Sequence, residues 1–323
     1  MRKTIQSAYG KDKEDKMSQI TALVHGFGNV GKHALLALEA SEDMRCLGVL
    51  RQAGSVGTRS HDLRGVPDFA SLDELVAAVG RPQLAILCGP SRKVPTDAAY
   101  FLAAGLHCVD AFDIHGEIPA LVGKLDAAAR AAGKVAVTAT GWDPGTDSVL
   151  RALFEAMAPK GTTFTNFGRG RSMGHSVVAR SIEGVADALS LTIPLGGGRH
   201  SRLVYVLPKS GASQEAIGKA LAADPYFSHD PLDLRFVDSI ESLRAVADDS
   251  HGVLMERTGA SAASSNQQFR FDMRIDNPAL TAQVLVASGR AAMRLASGCY
   301  TLIDIPPVAL LPGGRMENIA RLV

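Results

Sequence analysis

From residue 20 the chain alternates short β-rich apolar runs with longer stretches whose apolar residues recur at helical spacing. The first run, ITALVH, ends at Gly26, and Leu35, Leu36 and Leu38 then follow a helical period. This pattern predicts a strand, a glycine turn and a helix. Further strands are predicted at 44–50, 84–88, 106–110 and 135–140, with helices at 96–104 and 118–132. Repeated βα units imply a Rossmann-type α/β fold, a doubly wound parallel sheet, because each crossover returns the chain in the same direction. Such sheets bind ligands beyond the C-terminal strand ends, which here carry the segments 89–91, 110–115 and 141–147.

After Gly145 the alternation stops. Strands at 163–167, 188–194, 201–207, 234–237 and 269–275, with helices at 214–222 and 240–247, predict a separate α+β domain. In its last strand Phe269, Phe271, Met273 and Ile275 alternate with Arg270, Asp272 and Arg274, the pattern of a sheet with one wet face and one packed face. Open sheets of this kind commonly pair, so a homodimer is expected. A helix over 281–297 follows. The expected organisation is a mobile tail at 1–16, a dinucleotide-binding domain at 17–145 and an α+β domain at 146–278.

Composition narrows the partner. The 323 residues are 46% hydrophobic and 21% charged, which excludes general disorder. A net charge of +1 supplies no field for nucleic acid or an anionic membrane, so a small-molecule ligand is expected. No apolar run approaches the roughly 18 residues of a membrane span. Cys46, Cys88, Cys108 and Cys299 form no C-x-x-C pair, so neither a metal site nor a disulfide framework is expected and a cytoplasmic location is.

The chemistry gathers at the strand ends. Gly26-Phe27-Gly28-Asn29-Val30-Gly31 lies between a strand and a helix, the context that a dinucleotide-binding G-x-G-x-x-G requires. Gly26 permits the turn, Gly28 lets the backbone approach a pyrophosphate, and Gly31 lets the helix pack on the sheet. About 20 residues further on, where an NAD site carries an acid for the ribose 2′-hydroxyl, the chain has Arg51, a cation suited to the 2′-phosphate of NADP. Gly89 and Ser91 complete the predicted cofactor contacts. Two acids, Asp113 and Asp143, follow different strands and so can reach one crevice. Turn chemistry suits both as well: Asp113 as an Asx-turn or the cap of the helix near Ile118, Asp143 as the start of an Asp-Pro-Gly turn.

The glycine motif, Asp110-Ala111-Phe112-Asp113-Ile114-His115 and Thr140-Gly141-Trp142-Asp143-Pro144-Gly145 together resemble the meso-diaminopimelate dehydrogenase family. So do Ser172-Met173-Gly174-His175-Ser176, Glu183-Gly184-Val185, Asp276-Asn277-Pro278 and Ser288-Gly289-Arg290-Ala291-Ala292. The resemblance implies an NADP-dependent enzyme of lysine biosynthesis that reversibly deaminates the D-configured centre of its amino-acid substrate. It places Asp113 and Asp143 at the reacting amino group and Trp142 in the pocket lining. It implies substrate contacts from Met173, Gly174, His251, Asn266 and one arginine, Arg199 or Arg202. It also makes 146–278 the substrate-binding and dimerisation domain and returns 279–323 to the cofactor domain. Met173 departs from the family, which has a polar amide there. Two other readings remain: an NADP-dependent dehydrogenase of another amine or diamino acid, such as 2,4-diaminopentanoate or a D-amino acid, and a non-catalytic NADP(H)-binding sensor. Retention of both acids argues against the sensor.

Overall fold

The computed structural model describes residues 19–58, 60–168, 170–247 and 250–323, and only the backbone of Met173, Gly174, Ser250 and His251. The expected mobile tail lies outside the described residues. The chain divides into two compact units, the first running to Ser148 and resuming at Pro278–Val323, the second spanning Val149–Asn277.

The first unit begins with β1 (Ile20–His25), α1 (Asn29–Glu39), β2 (Met44–Leu50), β3 (Asp68–Phe69) and α2 (Leu72–Val79). It continues with β4 (Leu84–Leu87), α3 (Val94–Ala103), β5 (His107–Asp110), α4 (Ile118–Ala132) and β6 (Val135–Val137). α5 (Thr146–Met157) crosses the boundary and opens the second unit. There follow β7 (Lys160–Phe167), β8 (Gly170–Arg171), α6 (Met173–Ser181), β9 (Val185–Gly196), β10 (Arg199–Pro208) and α7 (Gln214–Ala223). Then come β11 (Leu232–Phe236), α8 (Ile240–Ala245), β12 (Ser250–Ser261) and β13 (Ser264–Asp276). α9 (Asn277–Ala292), β14 (Gly298–Tyr300), α10 (Pro307–Leu310) and α11 (Arg315–Leu322) complete the first unit.

Seven parallel strands in the order β14-β6-β5-β4-β1-β2-β3 form the sheet of the first unit. The order reverses between β1 and β4, so the loops after these two strands diverge and leave a crevice at the sheet edge. Helical periodicity decides which residues face the sheet. Gly31, Ala34, Leu35 and Leu38 are buried on α1, and Leu121, Leu125 and Ala129 on α4. A Cβ at Gly31 would run into the carbonyl oxygen of Gly26, so the close seat of α1 on the loop depends on glycine there.

The sequence reading missed α2, although Ser71 caps it by accepting from the Glu74 N–H at 3.2 Å and Glu74 reaches back to the Ala70 N–H at 3.0 Å. It also missed β3, α5, α6 and β12. Apolar periodicity is faint in β12, whose length is enforced by pairing with β13 on one side and β7 on the other.

In the second unit a four-stranded sheet, β11-β10-β9-β8, packs Val185, Val204 and Val206 against Ala179, Ile217 and Leu221. A separate cluster joins Leu189, Leu191 and Leu203 to Leu243 of α8. The three-stranded sheet β13-β12-β7 is antiparallel. In β13 Phe269, Phe271, Met273 and Ile275 are half-buried and the alternate residues exposed, with Phe154 of α5 stacked on Phe269 at 5.5 Å.

The returning segment is anchored by an ion pair. Arg290 of α9 grips Asp43, just before β2, through Nε to Oδ2 at 2.5 Å and Nη2 to Oδ1 at 2.8 Å. The hydrogen bond from Arg290 holds the Asp43 carboxyl below its ordinary value against the opposing effect of burial. Replacing Arg290 with Met should lower the unfolding free energy by about 3 kcal/mol near neutral pH, the scale for stranding one member of a buried pair. A lowered folded pKa means that this stabilisation is present above the ordinary carboxylate range and is lost as the pH falls through the lowered value. Denaturant titrations should therefore show the gap between parent and variant closing in acid. Coincident midpoints at neutral pH would show that the pair contributes nothing.

Candidate active site

The first group of functional residues lies at the C-terminal edge of the seven-stranded sheet. Gly26 has a φ of +91°, and a Cβ there would stand 3.0 Å from the backbone of Cys88 and Gly89, at the end of β4. Gly28 begins α1 without a capping side chain, and nothing lies within 4 Å of where its Cβ would be. The first turn of α1 carries no acid. Open backbone N–H groups at a helix start whose first turn has no acid fit the pyrophosphate of a dinucleotide.

Arg51 closes β2 as expected, but its charge is met within the protein. Nη1 bonds Asp68 Oδ2 at 2.7 Å and donates to the Thr58 carbonyl at 3.4 Å, and the guanidinium stands 5.8 Å from the centre of the Phe27 ring. Gly89 is open on its Cβ side apart from Asp97 at 3.9 Å. Ser91, expected at the cofactor, donates its hydroxyl to Asp113 Oδ1 at 2.6 Å.

That bond bears on Asp113. The residue capping α4 is Glu117, which makes no side-chain cap, so Asp113 does not hold the helix start. It is exposed, on the loop after β5. Asp143 is half-buried on the loop after β6, the strand paired with β5 in parallel. Gly141 and Gly145 close that loop on each other, and the Asp143–Pro144 peptide is cis. A Cβ at Gly145 would collide with the Gly141 carbonyl, so the closing end of G-W-D-P-G needs glycine. Trp142 is half-buried within the loop, its carbonyl accepting from the Asp147 N–H at 3.1 Å.

Between these two loops lies an acid that the sequence reading passed over as a strand end. Asp110 is fully buried; its Oδ1 accepts from the Thr138 hydroxyl at 2.9 Å, the Phe112 N–H at 3.0 Å and the Ala139 N–H at 3.3 Å. Burial pushes its carboxyl up to about 6. In sequence it is an acid ending an apolar strand, at the head of the segment Asp110-Ala111-Phe112-Asp113-Ile114-His115.

In the second unit Arg202 is buried on β10. Its Nε donates to Asp230 Oδ2 at 2.8 Å and its Nη1 to the Thr192 hydroxyl at 2.5 Å. His200 reaches the same Asp230 oxygen at 3.2 Å. His175 hydrogen-bonds Ser172 at 2.8 Å and sets its ring edge-on to Tyr226 and Phe227. Burial, then the nearby Arg202 charge, hold the His175 pKa below the usual imidazole value. Arg199 is exposed, and a register shift between Arg199 and His200 interrupts the regular alternation of β10 at its start. Asn266 is also exposed, with a φ of +68°, a turn geometry at the end of the β12–β13 hairpin. The side chains of Met173 and His251 lie outside the described residues. Thr192 and Asp230 carried no motif; pairing of β9 with β10 and a polar turn bring them to Arg202.

Comparison with known proteins gives these groups a context. A model of the diaminopimelic acid dehydrogenase C-terminal domain matches residues 141–198. A meso-diaminopimelate D-dehydrogenase of Bacteroides fragilis is 44% identical over 307 residues, 95% of this chain and 100% of that protein. That of Lysinibacillus sphaericus is 32% identical over 322 residues, 92% and 97% of the two chains. The structure of C. glutamicum DAP dehydrogenase in complex with DAP is similar with a TM-score of 0.74 at 29% identity, covering 95% of this chain and 100% of that one. An engineered D-amino acid dehydrogenase bound to NADP+ gives 0.69 at 28% identity with the same coverage. Sheet order, glycine loop and these likenesses define an oxidoreductase acting on a CH–NH2 group, with a fold that fits a nicotinamide cofactor. The chain belongs to the meso-diaminopimelate D-dehydrogenase family.

The raised pKa of Asp110 has a measurable sign. The folded state holds this proton more tightly than the unfolded chain, whose value lies near 3.8. Its favourable contribution is therefore full below that value and is lost as the pH rises through about 6. Urea unfolding followed across this range should show the parent losing stability relative to Asp110→Asn; parallel curves would sink the assignment.

Proposed function

We propose that the protein is an NADP-dependent dehydrogenase that reversibly deaminates the D-configured centre of meso-diaminopimelate, a step of lysine biosynthesis in the cytoplasm. The observation that carries the reading is the placement of Asp113 and Asp143 on the loops after two adjacent parallel strands, in a family of this named activity.

An amine gives up hydride readily only when its nitrogen lone pair is available, so an ammonium proton must leave first. Asp113 and Asp143 hold the substrate ammonium as an ion pair, and one of them takes that proton directly or through water. The Ser91 hydroxyl donates to Asp113 Oδ1, leaving Oδ2 of this carboxylate as a further acceptor. The glycine loop after β1 and Arg51 would hold NADP+, which would supply the hydride acceptor. Water activated by the same pair then adds to the iminium carbon, ammonia departs, and a carbonyl remains.

Cofactor choice falls to Arg51. Its bonds to Asp68 and Thr58 both use Nη1, which leaves the rest of the fork for a 2′-phosphate while Asp68 and Phe27 steady it. Arg202, rather than the exposed Arg199, takes the carboxylate remote from the chemistry; Asp230 and Thr192 hold its guanidinium in place. The protein is read as a homodimer, because Leu153, Met157, Phe164 and Phe167 of the second unit expose apolar side chains that a second copy would cover.

Initial rates with NADP+ and NAD+ should favour NADP+ and meso-diaminopimelate over its LL isomer, D-lysine and 2,4-diaminopentanoate. Arg51→Glu should reverse or abolish the cofactor preference by repelling the 2′-phosphate. Equal rates with both cofactors in the parent would remove NADP from the reading, and faster turnover of 2,4-diaminopentanoate would replace the substrate. Arg202→Met should cost about 2–5 kcal/mol in kcat/KM for meso-diaminopimelate while changing D-lysine, which lacks the remote carboxylate, far less. Because that change also strands Asp230, the double variant with Asp230→Asn should keep the same discrimination. Equal losses on both substrates would reduce Arg202 to a structural role.

A further inference from the structure

Asp113 and Asp143 can act on one nitrogen only if two separate loops leave the sheet in a fixed relation. The sequence of each loop supplies little stiffness of its own. Ala111 and Phe112 precede Asp113 without a turn former, and the approach to Asp143 passes through Ala139, a non-glycine residue at a φ of +56°. A backbone held there costs on the order of 1–3 kcal/mol and persists only where its surroundings over-determine it.

Asp110 supplies those surroundings. Its Oδ1 gathers donors from both loops, the Phe112 N–H on one side and the Thr138 hydroxyl and Ala139 N–H on the other. Its main-chain carbonyl accepts from the Thr140 N–H at 2.9 Å and the Thr140 hydroxyl at 3.0 Å. One residue therefore accepts five hydrogen bonds across the ends of β5 and β6, and Asp110, Thr138 and Thr140 are all fully buried. Asp110 Oδ2 is buried with no partner among the described residues, so the carboxylate is held by one oxygen alone. A site that served only stability would be filled at lower cost by an apolar residue, since an unsatisfied buried oxygen is destabilising.

We propose that Asp110 is a positioning residue for the acidic pair, clamping the ends of β5 and β6 so that the loops carrying Asp113 and Asp143 leave the sheet in one register. The inference rests on the reading that those two acids work at the substrate amine. Asp110 touches neither substrate nor cofactor; it acts through the loops, and misplacement of a reacting group by about 1 Å costs up to about 10²-fold in rate.

The test compares Asp110→Ala, Asp110→Asn and the double variant Thr138→Val/Thr140→Val with Asp113→Asn and Asp143→Asn, each normalised to sites that bind NADPH by fluorescence. Asp110→Ala should lower kcat for meso-diaminopimelate oxidation by about 10- to 100-fold while the NADPH dissociation constant stays within about 2-fold. Asp110→Asn keeps an acceptor oxygen for the three donors and should recover to within about 5-fold of the parent. If Asp110→Ala does not fold, the threonine pair carries the test and should lose about 3- to 10-fold. The inference is overturned if the folded clamp variants keep the parent kcat, or if the asparagine variant falls as far as the alanine one. Should Asp113→Asn and Asp143→Asn both turn over normally, the acid reading itself falls and takes the clamp with it. Loss in those two with none in the clamp variants removes the clamp alone.

Discussion

Everything at the candidate site depends on one constraint: seven strands that all run the same way. A parallel sheet delivers every strand end, with its uncovered backbone groups and following loop, to one edge of the sheet. The glycine loop after β1, Gly89 to Ser91 after β4, Asp113 after β5 and Asp143 after β6 therefore share an edge although more than a hundred residues separate the first from the last. The order of the strands decides who neighbours whom. Reversal between β1 and β4 leaves a crevice of the kind that holds a dinucleotide, while adjacency of β5 and β6 puts the two acids on loops that follow neighbouring strands.

Local chemistry that repeats along the chain was legible without coordinates. The first strand, the glycine turn, α1 and the crossovers through α3 and α4 to β6 follow from the alternation of period two and period 3.6, whereas β3 and α2 between β2 and β4 were not read. The site was legible where it sat on a motif, as in G-W-D-P-G. It was opaque where a partner came from elsewhere in the chain. Nothing near Arg51 announces Asp68, and nothing near Arg202 announces Thr192 or Asp230. The two arginines show the limit most plainly: alternation relates Arg199 to Arg202 only in a regular strand, and β10 begins with an irregularity. α6 went unread because it has only a narrow apolar stripe, α5 although Val149, Leu150, Leu153, Phe154 and Met157 recur at helical spacing, and Asp110 because a buried acid looks, in sequence, like any acid that ends a strand.

Charge in this molecule is seldom left alone. Arg51 meets Asp68, Arg202 meets Asp230, and Arg290 meets Asp43. An arginine whose fork is partly occupied offers a fixed remainder, and a fixed donor set loses less entropy when an anion arrives. The same pairing keeps a cation from standing bare in a partly apolar setting. Asp110 is the exception in kind, an acid met on one oxygen by hydroxyl and backbone donors and not by an opposite charge, which is why burial and not a partner dominates its proton affinity.

The interruption of the first unit also sets an order of events during synthesis. Gly289 of α9 lies where a Cβ would strike Leu84 of β4 and approach Met44 of β2, so the helix that covers this part of the sheet is encoded near the end of the chain. A ribosome working at about 5–20 residues per second makes Val149–Asn277 before it reaches that helix, a delay on the order of ten seconds. During that interval β1, β2 and β4 can emerge with an apolar face uncovered, and at its end the second unit has its whole sequence while they still lack α9. The inserted unit is thus free to fold first, and the newborn cofactor sheet is the part of the molecule most in need of a chaperone's shelter.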